Sequence, residues 1–545
     1  MGSIRGSRLR LKFCIVLWSA CALSRCGQAQ AVPAASDVGS QGRAELQQPI
    51  PTNRQAGPYS LQLNSQLVVL DVVVTDKKGA PVMGLTRDDF NVYENKVQQQ
   101  VVSFEPAQNA GLSDPAIHST ADLDHLAPQA PVSILVLDEI TTSFEDEAFA
   151  QFAIRKYLAS EGDVLAEPTM LIAVTLDHQT LLRDYTTSKR EILAALEKHS
   201  SASDWRRTNS NMQSQQVMAT LLSLSGVAGA MMGHEGHKNI VWIGRGFPFL
   251  QWNKLPPRTV EELKQAIVTC TNRLRDARAT LYSVDPAGLG PAHPAIHADP
   301  DWLFNGGAGA FEMHDPTSGQ EDFDALAQAT GGRALHGRAD VEQAISESVS
   351  YGQKFYTIAY KPAPSTTDGG AFRSIQIVMK DHTLIASGPE GYFSGKRTEA
   401  PALDAQGKVP SQVGFDLAVA TDGMMVYDGV PLTVERMASN PDEFRVSLPA
   451  NALAWTPDGT QDKGDITLLV SSYDDKGKLL HREGRLIGLV RPPLPAGQVD
   501  SRMVRVLTTM ATSPPAVRVR VLVRANGSGR IGTSNYFLSD RRLVR

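Results

Sequence analysis

The chain has 545 residues, 42% of them hydrophobic and 20% charged, with a formal net charge of -5. This length exceeds the roughly 250–300 residues at which a single core stops growing, so two or three domains are expected. The slight acidic excess and a sequence pI near 6.2 leave no basic footprint for nucleic acid.

The first residues form a targeting segment by pattern. Arg5, Arg8, Arg10 and Lys12 precede the apolar run FCIVLWSACALS, and Ala29-Gln30-Ala31 offers a small-x-small cleavage site, so residues 1–31 are expected to be a signal peptide. The run is shorter than the ~20 residues of a membrane span, and no later stretch reaches that length. An exported protein, periplasmic or extracellular, is therefore expected. Lipoprotein anchoring at Cys21 or Cys26 is the alternative, against which Trp18 and Arg25 count. Three of the four cysteines lie in this segment. Cys270 remains, and its helical stripe with Leu263, Ile267 and Leu274 marks it as a buried apolar residue.

Residues 32–58, rich in Ala, Gln, Ser, Pro and Gly without periodicity, have the composition of a flexible linker. Residues 59–107 turn to strands. Leu61 and Leu63 alternate, residues 67–74 are rich in β-branched valine, Asp76-Lys77-Lys78-Gly79 is a hairpin turn, and Thr86 caps a short helical turn before strand resumes. An N-terminal immunoglobulin-like β module is expected, followed by a polar link over residues 108–130.

From residue 131 to 393 strands and helices alternate. Strands are predicted at 133–137, 170–176, 239–243, 280–284, 334–335 and 356–360, with helices at 144–161, 188–199, 213–232, 259–277, 322–329 and 340–351 between them. Residues 179–185 add a short antiparallel edge strand. The class is α/β, a mainly parallel sheet with helices on both faces. PVSILVLDEITT, residues 131–142, is the central stretch because its apolar run stops at Asp138. Ligands of such sheets bind beyond the carboxyl ends of strands, so Asp138, Thr141, Thr142 and Ser143 stand where a site is expected.

Asp138, Ile140 and Thr142 resemble the Asp-x-Ser-x-Ser opening of the metal-ion-dependent adhesion site in a von Willebrand factor type A (VWFA) domain, with Ile140 replacing a serine. The wider pattern is similar to the VWFA-related family of secreted acidobacterial proteins over residues 61–393. It comprises VVLDVVVTDKKGAPVMGLTRDDFNVYE, GHKNIVWIGRGFPF, LYSVDPAGL, LAQATGGRAL and YTIAYKP. The resemblance implies a VWFA (Rossmann-like) fold and Mg²⁺ held by Asp138, Thr142 and Thr208, with a position left for a partner's carboxylate. Ile243-Gly244-Arg245-Gly246 departs from the usual Thr-Asp-Gly of the fourth strand. A guanidinium there repels a divalent cation. Either a weakened Mg²⁺ site or a metal-free relic with an Arg245 to Asp138 ion pair is expected.

Residues 287–319 form a long loop carrying His293, His297, Asp299, Asp301, His314 and Asp315, whose spacing matches no zinc signature. His234-Glu235-Gly236-His237 is one residue short of the metalloprotease spacing. Residues 394–410 are a second polar linker. Residues 411–545 suggest a C-terminal β-sandwich, from the alternation of Phe415-Leu417-Val419, Phe444-Val446-Leu448, Ile466-Leu468-Val470 and Val517-Val519-Val521-Val523. Asp474-Asp475-Lys476-Gly477 and Asn526-Gly527 are hairpin turns, the latter explaining the sequon at Asn526.

No nucleophile elbow, P-loop, dinucleotide-binding glycine motif or Cys-His pair occurs in the sequence. The expected protein is a non-catalytic adhesion or interaction protein that binds another protein or a surface polymer. Two alternatives stand: a metal-dependent hydrolase using the loop from His293 to Asp315, and a structural cell-envelope component whose β modules bind.

Overall fold

Two β modules flank an α/β domain, and the chain passes through the first of them twice. The computed structural model describes residues 45–47, 67–107, 116–176, 179–200, 210–248, 250, 252–287, 323–362, 371–394, 411–495, 498 and 500–538. The targeting segment and residues 395–410 lie outside the described residues. Strand β1 (Glu45–Gln47) precedes β2 (Val68–Thr75), β3 (Phe90–Glu94), β4 (Val97–Gln99) and β5 (Val101–Glu105). After β2, Asp76 accepts the Lys78 and Ala80 amides at 2.8 and 2.9 Å, and Gly79 takes φ +82° to complete the turn. Thr86 and Asp89 form a capping box ahead of β3.

The α/β domain follows helix α1 (Thr120–Leu126). Its elements are β6 (Val132–Asp138), α2 (Phe144–Ser160), β7 (Val164–Val174), β8 (Gln179–Ser188), α3 (Lys189–Lys198), α4 (Ser210–Ala230), β9 (Lys238–Ile243), α5 (Pro257–Asp276), β10 (Ala279–Val284), α6 (Phe323–Ala329), β11 (Ala334–Leu335) and α7 (Val341–Gln353). The strands order as β11-β10-β9-β6-β7-β8. All neighbours are parallel except β8, the antiparallel edge. Side chains alternate across β6. Val132, Ile134 and Val136 pack with apolar residues of α4 and α5, whereas Leu135 and Leu137 pack with α2, α3 and α7. Both faces are covered, which explains why β6 is buried along its whole length.

The strand after α7 joins a different sheet. β12 (Tyr356–Tyr360) pairs antiparallel with β2 and β5, and β13 (Phe372–Met379), β14 (Ile385–Ser387) and β15 (Gly391–Phe393) complete the same module. Its two sheets, β14-β2-β12-β5 and β15-β13-β3-β4, share a core that includes Leu70, Phe90, Tyr356, Ile358 and Ile375. This corrects the expectation that residues 356–393 belong to the α/β domain. A buried strand following a helix has the same local pattern in either sheet. Pairing across hundreds of residues decides between them. The α/β domain is thus an insertion between two halves of the N-terminal module.

The C-terminal module opens with helix α8 (Ser411–Asp422), followed by β16 (Thr433–Arg436), β17 (Glu443–Pro449), β18 (Thr456–Asp458), β19 (Gln461–Tyr473), β20 (Leu479–Arg491), β21 (Met503–Thr509), β22 (Arg518–Ala525) and β23 (Ile531–Phe537). Two antiparallel sheets, β1-β21-β17-β16 and β18-β19-β22-β23 with β20 on β19, enclose Phe444, Val446, Leu468, Val470, Val521 and Val523. Two expectations fail here. Phe415-Leu417-Val419 lies in a helix, and Glu45–Gln47, within the expected linker, pairs with β21. The carbonyl of Ala420 at the end of α8 accepts from the buried Arg520 at 2.8 and 2.9 Å, so a fixed guanidinium satisfies a helix end.

The C-terminal module does not hang free. Ala420, Met425, Tyr427, Leu522 and Ile531 lie in one apolar cluster with residues of α4 and α5. Arg273 of α5 forks onto Asp416 of α8, with Nη1 at 2.8 Å from Oδ1. Asp428 accepts the Gly233 amide at 2.6 Å. Among the described residues no helix is long and apolar enough to cross a membrane.

Candidate functional site

The chain runs from β6 outward through β7 to β8, then returns to β9 on the other side of β6 and continues outward to β10 and β11. This reversal at β6 and β9 is a topological switch point, the place where open α/β sheets bind ligands beyond their strands. Asp138 ends β6 there, and Glu139 follows it.

Asp138 is buried, and both of its oxygens are engaged. Oδ1 accepts the Ile140 amide at 2.9 Å and the Thr141 amide at 3.2 Å. Oδ2 accepts the Thr141 hydroxyl at 2.6 Å, the Trp242 indole at 3.1 Å and the Gly246 amide at 3.3 Å. Burial raises the pKa of the carboxyl, and the hydrogen bonds from Thr141, Ile140 and Trp242 work against that rise. Gly244 is required beside it, because a Cβ at that position would overlap the Asp138 side chain. Gly246, at φ +67°, turns the chain against Phe323. Five donors and a tight backbone make Asp138 the anchor of the β9 loop.

Arg245 does not pair with Asp138. Its Nη2 lies 2.8 Å from Asp146 Oδ2 in the first turn of α2, and the side chain is 38% exposed. The expected ion pair is corrected: backbone and indole donors occupy the space around Asp138, so the guanidinium reaches past it to the next acid on α2. Its backbone amide lies 3.4 Å from Thr142 Oγ1, which is buried. Thr208 lies outside the described residues, as do His293 and Asp315 with the loop between them. Of the three expected metal ligands, Asp138 and Thr142 stand at the same strand end.

The other face of the same strand end carries a group that sequence patterns did not single out. Because side chains alternate, Glu139 points away from Asp138 towards the α2 and α3 side, while its amide extends the β6 ladder to the Val174 carbonyl at 2.9 Å. Glu147, in the first turn of α2, and His199, the residue that ends α3, converge on it. One ligating atom from each of the three lies within 4.8 Å of the others. His199 Nε2 is hydrogen-bonded to Glu139 Oε1, and the Glu139 and Glu147 carboxyls face each other. Burial first, then the charges of Glu139 and Asp138, push the Glu147 carboxyl up to about 8. A signal was present in the sequence: Glu147 sits on the apolar stripe of α2 with Ala150, Ile154 and Leu158, where a carboxylate has no packing reason to be.

The remaining candidates serve the fold. His234 lies 2.7 Å from the Ala130 carbonyl, and burial pushes its imidazole down to about 4. His237 Nδ1 and Arg278 Nη2 meet Asp71 of β2 at 2.9 and 2.7 Å. Burial opposes ionisation of Asp71, but Arg278 and His237 outweigh it and hold the carboxyl well below the usual range. Cys270 is buried among apolar side chains, and its thiol is pushed up to about 12. Asn526 is buried and bound to Asp465 and Thr467 at 2.8 and 3.0 Å, so its turn role uses the whole side chain. Scanned against protein-family models the chain matches none, and among curated proteins it matches none.

Proposed function

We propose that this is an exported, non-catalytic interaction protein, a VWFA-like domain flanked by immunoglobulin-like β modules, which binds a protein or a surface polymer at the carboxyl end of its parallel sheet. One observation carries the reading. Helix α2 leaves the strand end at Phe144 and presents three large aromatic side chains to solvent: Phe144, Phe149 and Phe152, which are 55%, 38% and 56% exposed. The rings of Phe149 and Phe152 lie 6.2 Å apart and near parallel. Exposed aromatic surface beside a switch point is the kind of patch that interaction sites use. The apolar packing of α2 is already supplied by Ala150, Ala153, Ile154, Tyr157 and Leu158, so these rings are surplus to the core.

Site-specific photocrosslinking on the full chain in its producing cell tests this. A crosslinker at Phe152 should capture a partner, and Phe144→Ser should reduce that capture. A crosslinker at Val490 on β20, which is also exposed, should capture little. Capture concentrated at Val490 would instead favour an envelope component whose β modules do the binding, and would overturn the proposal.

A further inference from the structure

We propose that Glu139, Glu147 and His199 form a binding site for a borderline divalent cation of the Zn²⁺ class, displaced to the opposite face of the sheet from the Asp138 position. The donors come from three separate elements, the end of β6, the first turn of α2 and the end of α3, and their ligating atoms fall within 4.8 Å of one another. They are withdrawn from solvent: the side chains of Glu139 and His199 are 1% and 11% exposed, and Glu147 is 1% exposed. Two carboxylates and one imidazole are a mixed set.

Topology points to the same spot independently. The group lies at the carboxyl end of β6, one of the two strands of the switch point, on the side of β7. Asp138, one residue away, has both oxygens engaged by donors from the chain, so the face it occupies is closed, whereas the groups on the face of Glu139 meet one another. A cation displaces to solvent any proton the ligands carry, and the imidazole presents its lone pair to the ion. The imidazole favours Zn²⁺ or Fe²⁺ over Mg²⁺, which prefers an all-oxygen shell and keeps its waters. Three protein ligands leave at least one position for water or for an acidic group of a partner.

The test uses the full chain, treated with chelator, dialysed and titrated with Zn²⁺ in a calorimeter at pH 7.5. The tightest equivalent should bind with Kd below about 10 µM. Glu147→Gln and His199→Gln should each weaken it about tenfold or more, and Thr142→Val should leave it unchanged. Circular dichroism establishes that each variant is folded. If His199→Gln fails to fold, Glu147→Gln decides alone, since it keeps the shape and removes only an ionisable oxygen. No Zn²⁺ binding at this affinity overturns the proposal. So does binding that both ligand variants leave intact, or binding lost in Thr142→Val, which would place the ion on the Asp138 side.

Discussion

Asp138 and Glu139 are neighbours in sequence, end the same strand and point to opposite sides of the sheet, yet they are stabilised in different ways. Asp138 is met by two amides of its own turn, a threonine hydroxyl, an indole and an amide of the β9 loop. Glu139 is met by another carboxyl and an imidazole. The first is a carboxyl used as a structural acceptor, bound to parts of the fold that cannot leave. The second belongs to a group of two carboxyls and an imidazole gathered from three elements. Burial alone therefore does not separate a structural acid from a site. The chemistry of its partners does.

The sharpest way to break this contrast is Asp138→Ala. It leaves the Trp242 indole and the amides of Ile140 and Thr141 buried without their acceptor, and should lower stability by about 3 kcal/mol in urea unfolding. A loss under about 1 kcal/mol would mean that water replaces the carboxyl, and the contrast would fail.

A smaller effect sharpens the other side. Glu147 has a folded pKa pushed up to about 8 against an ordinary 4.5, so the folded state holds a proton that the unfolded chain releases. This stability is fully present below about pH 4.5 and is lost as pH rises towards 8. In chelator, the thermal midpoint of the parent should fall relative to that of Glu147→Gln between pH 5 and pH 8. Other buried acids, Glu167 and Asp428 among them, titrate in both proteins and cancel in the difference. Parallel curves would show that burial and the charges of Glu139 and Asp138 do not hold the Glu147 proton.

The smallest effect belongs to Arg245→Ala. Its ion pair with Asp146 is partly solvated, and its removal should cost about 0.5 kcal/mol or less. A loss several times larger, measured by the same urea unfolding, would return Arg245 to the interior role expected from its place after β9.

The order of strands and helices in the α/β domain was legible because each has a long, periodic apolar pattern; helices α2, α3, α5 and α7 begin and end within a few residues of expectation. Partners were less legible than elements. Tyr356–Tyr360 is a strand as expected, but its sheet is set by pairing with β2 and β5. α8 was missed because Phe415-Leu417-Val419 alternates over only five residues. The competing stripe of Val413, Leu417 and Ala420 has helical spacing and is the one that packs. Asp138 could be found from the strand that ends at it. Glu139, Glu147 and His199 could not be joined in advance, since eight and sixty residues of chain separate Glu139 from the other two, and only the alternation of β6 with the packing of α2 and α3 brings them together.

The insertion of the α/β domain sets an order of events for a chain that is threaded from its N-terminus. Asp71 of β2 and Thr357 of β12 are hydrogen-bonded at 2.9 Å across 286 residues of sequence. β2 to β5 therefore emerge long before β12 to β15, and until those strands arrive the first sheet lacks its central member. A strand edge left open for that interval is a template for wrong pairing. The α/β domain has shorter-range contacts and can close first, bringing its two ends, and with them both halves of the first module, into reach of each other. A helper that shields β2 during synthesis would protect the step at which this chain is most exposed to misassembly.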